Sequence, residues 1–300
     1  MSVRHFLTLK SLNRDELESI INRALELKKQ VKQKKIITTL DNRVLGMIFE
    51  KSSTRTRVSF ETGMAQLGGH AIYLAPTGTQ IGRGEPLKDT ARVLSKMVDC
   101  IMLRTFAHQK LEEFASYSDV PVINGLSDSF HPCQLLADLL TYIEARGSIE
   151  NKKVVWLGDG NNMCHSYINA AKIFNFQLII SCPKEFVPAA EIYESSKENV
   201  SFEDDPHKAV GNADLVITDV WASMGQENEQ NERKNKFKKY QVNSEIMVCA
   251  KSDALFMHCL PAHRNEEVTE EVLEGPQSVV WEEAGNRLHS SKALLEFLLN

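Results

Sequence analysis

Short, continuous apolar runs alternate with amphipathic stretches along almost the whole chain, and this alternation restricts the possible folds more than any other feature. Apolar runs of strand length, separated by helical stretches, are typical of parallel sheets whose two faces are both covered by helices. The sequence therefore predicts an α/β protein in which each domain is a parallel β-sheet flanked by helices. The predicted strands are 44–49, 71–74, 100–103, 120–123, 154–157, 178–181, 215–218, 255–258 and 279–281.

The length of the chain and one proline–glycine pair indicate where it divides. At roughly 150 residues per domain, a chain of 300 residues suggests two domains. Residues 132–146 predict a linking helix, because Pro132 suits its first position and Gly147 suits its end. We therefore expect a first domain of residues 1–147 and a second of 148–284, joined by linking helices, with a terminal helix in 285–300 that packs back on the first domain.

The stretches outside the predicted strands give two further expectations. Asn13 and Glu16 have the spacing of a capping box and predict the start of an amphipathic helix. The lysines near its end are predicted to lie on its solvated face: Lys28, Lys29, Lys32, Lys34 and Lys35. Residues 75–86 and 221–236 are predicted loops at sheet ends, either mobile lids or plain surface loops.

Composition and charge argue against several classes of protein. The net charge of −5 offers no basic field for a nucleic acid. No apolar run approaches the roughly 18 residues that a membrane span needs, and the N-terminus lacks the pattern of a signal peptide. The six cysteines are scattered and form no Cys-x-x-Cys pair, so we expect reduced thiols and a cytoplasmic location.

The most informative segment is Ser53-Thr54-Arg55-Thr56-Arg57, which follows a predicted buried strand and opens a predicted helix. In an open parallel sheet, ligands bind beyond the carboxyl ends of the strands. A helix N-terminus there offers unpaired N–H groups and a partial positive charge. With three hydroxyls and two guanidiniums added, the segment suits a phosphate dianion, although a capping residue with surface arginines would give the same pattern.

Three other segments at predicted strand ends carry polar side chains. His131 and Gln134, at the start of the predicted linking helix, can both donate to a carbonyl oxygen, or His131 can simply cap that helix. Asn162 ends a Gly-Asp-Gly-Asn-Asn run whose amides suit a small polar ligand, whereas a dinucleotide site lacks its third glycine and its acidic residue. Asp219 can hold an ammonium group or cap the next turn.

Two segments remain near the C-terminus. His258, Cys259 and His263 could suggest a metal, but they lack the short paired spacings and the fourth ligand of a zinc site, so we expect none. The Cys259 thiol can orient an amine, and it lacks an obvious base that would make it a nucleophile. Arg287 is predicted to open the terminal helix and to reach a carbonyl or phosphate oxygen, unless it lies on the surface.

Together these motifs resemble the aspartate/ornithine transcarbamylase family. Ser-Thr-Arg-Thr-Arg and His-Pro-Cys-Gln are similar to the carbamoyl phosphate motifs of that family. Asp-Val-Trp-x-Ser-Met-Gly and His-Cys-Leu-Pro are similar to the motifs of its ornithine branch. The resemblance covers essentially the whole chain, with the motifs in family order. It implies transfer of a carbamoyl group from carbamoyl phosphate to L-ornithine, giving L-citrulline in arginine metabolism, without metal or organic cofactor.

The resemblance also implies a role for individual residues and an assembly. The first domain would bind carbamoyl phosphate and the second would bind ornithine. Homotrimers, or multiples of trimers, would have sites at subunit interfaces, where Gln80 would reach a neighbouring site. Arg55, Arg104, His131, Cys259 and Arg287 would be catalytic. Carbamoyl phosphate would contact Ser53, Thr54, Arg55, Thr56, Gln80, Arg104, His131, Gln134, Cys259, Leu260 and Arg287, and ornithine would contact Asn162, Asp219, Ser223 and Met224.

Other readings of the same motifs stay open. A transcarbamylase could use aspartate, putrescine or an acylated ornithine as acceptor, although aspartate would call for cationic donors where this chain has Asp219 and Cys259. A nicotinamide-dependent dehydrogenase or a non-catalytic binding protein of the same fold belongs to a different class. The incomplete cofactor fingerprint disfavours the dehydrogenase, and the presence of every expected site residue disfavours the non-catalytic binding protein.

Overall fold

The computed structural model describes residues 3–75, 84–222 and 230–300. The chain forms two compact units, Met1–Leu140 with Gly285–Asn300, and Thr141–Ala284. The predicted α/β class is confirmed, because each unit contains a parallel sheet flanked by helices. In the described part of the chain, no helix is long and apolar enough to cross a membrane.

The first unit is built on a four-stranded parallel sheet in the order β2-β1-β3-β4. Phe49 at the end of β1 pairs with Arg104 at the end of β3, so the loops that follow both strands leave the same edge of the sheet. Apolar residues of the strands pack against α3 and α4 in a buried core. Its elements are α1 (Arg14–Lys32), β1 (Val44–Phe49), α2 (Thr54–Gln66), β2 (His70–Leu74), α3 (Leu87–Leu94), β3 (Cys100–Arg104), α4 (His108–Ser116), β4 (Val122–Leu126) and α5 (Pro132–Arg146), which continues into the second unit.

The second unit contains a five-stranded parallel sheet in the order β7-β6-β5-β8-β9. Thr218 at the end of β8 pairs with both Leu157 of β5 and His258 of β9, so these three strand ends also share one edge. The elements are β5 (Lys153–Leu157), α6 (Asn162–Phe174), β6 (Gln177–Ser181), α7 (Ala190–Glu194), β7 (Val200–Phe202), α8 (Pro206–Val210), β8 (Leu215–Thr218), α9 (Gln230–Phe237), α10 (Ser244–Cys249), β9 (Leu255–His258), α11 (Glu270–Leu273) and α12 (Val280–Leu299), which continues into the first unit.

The capping box of α1 is confirmed, but one lysine of that helix lies where the sequence did not predict it. Asn13 accepts from the Glu16 amide, and the Glu16 carboxylate accepts from the Asn13 amide. Lys28 was predicted on the solvated face, yet its side chain is buried. Its ammonium donates to Asn286 Oδ1 at 2.9 Å, a partner that is distant in sequence and that periodicity cannot reveal.

The prediction of a strand at 279–281 is wrong, because α12 begins at Val280. Only the residues just before it pair with β9: Gln277 accepts from the Phe256 amide, and the Val279 amide donates to the Phe256 carbonyl. Glu282 and Glu283 then fall in the first turn of α12, where the helix dipole favours acidic side chains. Arg287 consequently lies inside a long helix and does not open it.

Two other predicted boundaries differ in the structure. The fourth strand runs over Val122–Leu126 rather than 120–123, and it passes through Gly125. A Cβ at Gly125 would lie 2.3 Å from the Met102 sulfur of β3, so glycine leaves room for the Met102 side chain there. The predicted loop 221–236 contains the helix α9, in which Glu232 and Lys236 form an i,i+4 ion pair of 3.0 Å.

Candidate active site

The N-terminus of α2 brings together the hydroxyl groups of the first unit. Strand β1 ends at Phe49, and Ser53 caps α2 by accepting from the Thr56 amide at 3.3 Å. The Ser53 and Thr56 hydroxyls lie 3.1 Å apart. Thr56 is fully buried, whereas Thr54 is exposed and Arg55 is partly exposed. The capping role that the sequence left as an alternative is therefore present, at a helix end that can also receive an anion.

A buried guanidinium bonds to this helix end. Arg287 donates from Nη2 to Thr56 Oγ1 at 3.1 Å and from Nη1 to Gln134 Oε1 at 2.5 Å. Gln134 in turn donates from Nε2 to Asp138 Oδ1 at 2.9 Å. Because one planar guanidinium holds two acceptors at once, its orientation is fixed. Thr56, Gln134 and Arg287, which are far apart in sequence, are thus in direct contact.

Arg104 lies at the end of β3, at the same edge of the sheet as the residues that lead to α2. Its side chain is 7% exposed, and its carbonyl accepts from the Glu50 amide at 2.8 Å. A buried guanidinium at this position adds positive charge beside the α2 N-terminus, and a neighbouring phosphate would lower the cost of that burial.

His131 is a neutral histidine within this cationic environment. Burial lowers the pKa of His131 well below its usual value, and the nearby charges of Arg287, Arg104 and Arg55 lower it further. A neutral imidazole carries one N–H donor and one acceptor nitrogen at neutral pH. All three arginines are therefore close enough to act electrostatically on His131. In its neutral form, His131 can donate a hydrogen bond without adding charge.

The cysteine of the His-Pro-Cys-Gln segment is structural. Cys133 is buried, and burial raises the pKa of its thiol to about 12. Its sulfur donates to the Asn124 carbonyl at 3.3 Å. A thiol that stays protonated at neutral pH is a poor nucleophile.

In the second unit, Asp219 and Cys259 are in direct contact. The Cys259 thiol donates to Asp219 Oδ1 at 3.1 Å, and the Val220 amide donates to the same oxygen at 2.8 Å. Asn161 donates from Nδ2 to Asp219 Oδ2 at 2.8 Å. Asp219 is 7% exposed, so a largely buried carboxylate is held from both sides at a shared strand-end edge. Such a carboxylate can bind an ammonium or orient an amine.

The two amides after β5 have different positions. Asn161 caps α6 through bonds to the Met163 and Cys164 amides and also contacts Asp219, whereas Asn162 is the first residue of α6. Gly160 precedes them, and a Cβ there would lie 2.3 Å from the Pro188 nitrogen. This glycine is therefore required by the close approach of the chain's own backbone, which explains the partial glycine motif without a pyrophosphate.

His258, which the sequence analysis considered only as a metal ligand, fixes the backbone beside Cys259 together with two glutamates. His258 is fully buried, and its Nδ1 accepts from the Leu260 amide at 2.9 Å. Its Nε2 lies 3.1 Å from Glu267 Oε1, and Glu283 accepts from its backbone amide at 3.0 Å. Leu260 has a φ of 57°, in the left-handed region. Because both ring nitrogens of His258 are engaged, this arrangement disfavours the metal reading of His258 and Cys259.

Several predictions fall outside the described residues. Gln80, Ser223 and Met224 lie in the ranges that the structure does not describe, so their placement stays a prediction. Sequence reasoning missed Asp138, Asn161, His258 and Glu267 as partners of predicted residues. His258 and Asn161 lie within the motifs themselves, and Asp138 is four residues after Gln134 in the predicted helix, where side chains are neighbours. Glu267 has no comparable signal in the sequence.

Comparison with known proteins gives a consistent result over both halves. Residues 4–144 match the carbamoyl-P binding domain of the aspartate/ornithine carbamoyltransferases, and residues 150–298 match their Asp/Orn binding domain. The chain is 62% identical to the ornithine carbamoyltransferase of Nitrosococcus oceani, over 100% of this chain and 98% of that protein. It is also 62% identical to that of Methylococcus capsulatus, over 100% and 99%.

Solved structures agree with the sequence relatives. The ornithine carbamoyltransferase of Burkholderia thailandensis has a TM-score of 0.93 and 50% identity, covering 99% of both chains. That of Pyrococcus furiosus has a TM-score of 0.94 and 47% identity, covering 98% of this chain and 96% of that one. The motifs, the fold of both units and these comparisons lead to one assignment: this chain belongs to the aspartate/ornithine carbamoyltransferase family.

Proposed function

We propose that the chain is an ornithine carbamoyltransferase, which converts carbamoyl phosphate and L-ornithine into L-citrulline and phosphate in arginine metabolism. The observation that carries this choice within the family is the Asp219 carboxylate, which is held by Cys259 and Asn161 at a strand-end edge. A carboxylate there favours a cationic or amine-bearing acceptor. The side chain of an aspartate acceptor would bring a second negative charge to it and be repelled.

Carbamoyl phosphate binding is assigned to the first unit. The phosphate would lie at the N-terminus of α2, where Ser53, Thr54 and Thr56 offer hydroxyls and amides and Arg55 adds charge. Arg104, His131, Gln134 and Arg287 would meet the carbamoyl end and the bridging oxygen. The support for this is the fork of Arg287 on Thr56 and Gln134, which brings together residues of three helices.

Ornithine binding is assigned to the second unit. Asp219 and Cys259 would orient the δ-amine, and Asn162 with Ser223 and Met224 would hold the amino-acid end. The family resemblance assigns the backbone at Cys259 and Leu260 to the carbamoyl group. Within the second unit, the His258 ring fixes the Leu260 amide. Asn161 is added to the set as the residue that holds Asp219 in place.

The reaction is an acyl transfer from carbamoyl phosphate to ornithine. The neutral δ-nitrogen forms a bond to the carbamoyl carbon, and the carbonyl π-electrons move onto oxygen to give a tetrahedral oxyanion. The C–O bond to the phosphate then breaks, the carbonyl re-forms, and the departing phosphate accepts the proton lost by the nitrogen. Arginines and the neutral His131 donate to the developing oxyanion, and removing one such donor typically costs about 10²–10³ in rate.

The same proposal covers the assembly and the location. We place the enzyme in the cytoplasm as a homotrimer, or a multiple of trimers, with Gln80 completing a neighbouring subunit's site. Light scattering of the purified protein tests the mass. A monomer of 33.9 kDa at assay concentration would contradict the trimer.

An acceptor panel tests the choice of substrate. The purified chain is incubated with carbamoyl phosphate and L-ornithine, L-aspartate, putrescine or N-acetylornithine, and the carbamoylated product and phosphate are both measured. We expect citrulline formation to dominate, with weak turnover of the others. Preferential carbamoylation of aspartate, or phosphate release without any acceptor, would contradict the proposal.

A further inference from the structure

Lys28 is a buried lysine whose ammonium contacts the helix that carries Arg287. It lies in α1 and is 7% exposed, and its Nζ donates to Asn286 Oδ1 at 2.9 Å. Asn286 is fully buried in α12. This contact therefore joins two helices that lie at opposite ends of the sequence.

Asn286 immediately precedes Arg287, so the two side chains share one turn of α12. Arg287 holds Gln134 at 2.5 Å and Thr56 at 3.1 Å, distances that tolerate little movement of the helix. Misplacing a binding group by 1 Å can cost about 10²-fold in rate. Fixing the Asn286 side chain therefore constrains the rotation and axial position at which Arg287 presents its guanidinium.

Two other polar contacts hold α12 at positions further along the helix than Arg287. Lys292 donates to Gln66 Oε1 of α2 at 3.0 Å, and Arg23 of α1 donates to Glu296 Oε2 at 2.6 Å. At about 1.5 Å of rise per residue, Glu296 lies roughly 13.5 Å along the helix axis from Arg287. Arg23 therefore joins the same two helices as Lys28 does, but far from the guanidinium that contacts Thr56.

A buried lysine is a poor way to stabilise the folded state alone. Burying an ammonium costs desolvation free energy, and an apolar side chain of similar volume is often as stabilising or more so. One bond of the ammonium, to the amide oxygen of Asn286, is directional and short. A directional bond, by contrast, fixes orientation in a way that an apolar contact does not.

We propose that Lys28 is a positioning residue for carbamoyl phosphate binding, acting through Asn286 to hold Arg287 at the N-terminus of α2. The inference rests on the proposed role of Arg287 at the phosphate site. In this proposal Lys28 acts through the helix and not by contacting the substrate. Its removal should weaken binding of the phosphorylated substrate and of the phosphate product, and leave ornithine binding nearly unchanged.

The test compares Lys28→Met with Arg23→Met in the full-length enzyme. For Lys28→Met we expect the KM for carbamoyl phosphate and the inhibition constant of inorganic phosphate to rise about five- to tenfold, the scale of one lost hydrogen bond. The KM for ornithine at saturating carbamoyl phosphate should stay within about twofold. Arg23→Met breaks a contact between the same two helices, so it should lower Tm but change both phosphate constants by less than about twofold. Equal effects of the two variants on phosphate affinity would overturn the inference.

A double variant separates positioning from stability. Lys28→Met combined with Asn286→Leu removes both partners of this hydrogen bond, so Tm should recover toward the wild-type value. Phosphate affinity should stay low, because the directional bond is still missing. Recovery of both Tm and phosphate affinity would reduce Lys28 to a structural residue and overturn the inference.

This comparison is independent of the amine acceptor. Calorimetric titration with inorganic phosphate measures the α2 site directly in the wild type and in each variant. A wild type that binds phosphate but makes no citrulline would contradict the proposed function, while the effect of Lys28 on phosphate affinity would still be measured.

Discussion

Arg287→Lys gives the sharpest test of the phosphate-side arrangement. Arg287 is 2% exposed, and its guanidinium bonds simultaneously to Gln134 Oε1 and Thr56 Oγ1. A lysine keeps the positive charge but presents a single nitrogen on a flexible stem, which cannot reproduce this fork. The variant therefore removes the forked hydrogen-bond geometry while it preserves the positive charge.

The magnitude follows from the loss of one of the two bonds. A hydrogen bond to a charged group contributes about 1.5–3 kcal/mol, and each 1.36 kcal/mol corresponds to about tenfold. We expect kcat/KM for carbamoyl phosphate to fall about 12- to 160-fold on this scale. The KM for ornithine at saturating carbamoyl phosphate should change little, because Arg287 is assigned to the other substrate.

Arg23→Lys is the matched control, measured in the same citrulline assay with thermal unfolding. Arg23 also makes a forked contact with α12, donating to the Glu296 carboxylate at 2.6 and 3.1 Å. We expect it to lower Tm slightly and to leave kcat/KM within about twofold, since its contact is part-exposed. Near-normal kcat/KM in Arg287→Lys, or an equal loss in Arg23→Lys, would refute the reasoning.

Three further perturbations test other parts of the site. Arg55→Ala should lower kcat/KM at least about 10²-fold without unfolding the chain. The control Arg57→Ala removes an exposed arginine that pairs with Glu61, so it should lower kcat/KM by less than about threefold. Equal losses of kcat/KM would contradict the assignment of Arg55. Cys259→Ser should raise the KM for ornithine and shift the pH–rate profile while the KM for carbamoyl phosphate stays constant, and an unchanged profile would remove Cys259 from the ornithine step. His131 has a depressed pKa in the folded state, so its contribution to stability is present above the usual value of 6.5 and is lost as pH falls below it. Thermal unfolding from about pH 7.5 to 5.5 should therefore show the wild type losing more stability than His131→Asn, by up to about 1.4 kcal/mol per pH unit, and parallel curves would contradict the burial of a neutral His131.

The sequence predicted most of the elements because their signals are local. Strands such as Val44–Phe49 and Leu215–Thr218 are short apolar runs, and the helix Pro132–Arg146 has proline at its start and glycine after its end. The error at 279–281 has the same origin. An apolar Val-Val-Trp run has the composition of a strand, but it lies where the chain pairs briefly with Phe256 and then turns into α12.

The motif residues could be named from the sequence, while their partners could not. Ser53 and Asp219 follow predicted strands, so their placement at sheet edges follows from strand order and hydrogen-bonding direction. Asn286 and Glu267 carry no such signal, because they act through contacts that only the folded chain forms.

The sequence by itself determined the class of fold, the strand-end location of the motifs and the family, since periodicity and contiguous motifs are properties of neighbouring residues. Only the tertiary structure decided that Arg287 bridges Thr56 and Gln134, that Asn161 rather than Asn162 holds Asp219, and that Lys28 is buried against Asn286. The physical reason is the separation in sequence between the residues that interact. Secondary structure is set by residues within a few positions of each other, whereas most of these contacts join residues that are tens to hundreds of positions apart and depend on how helices and strand ends pack.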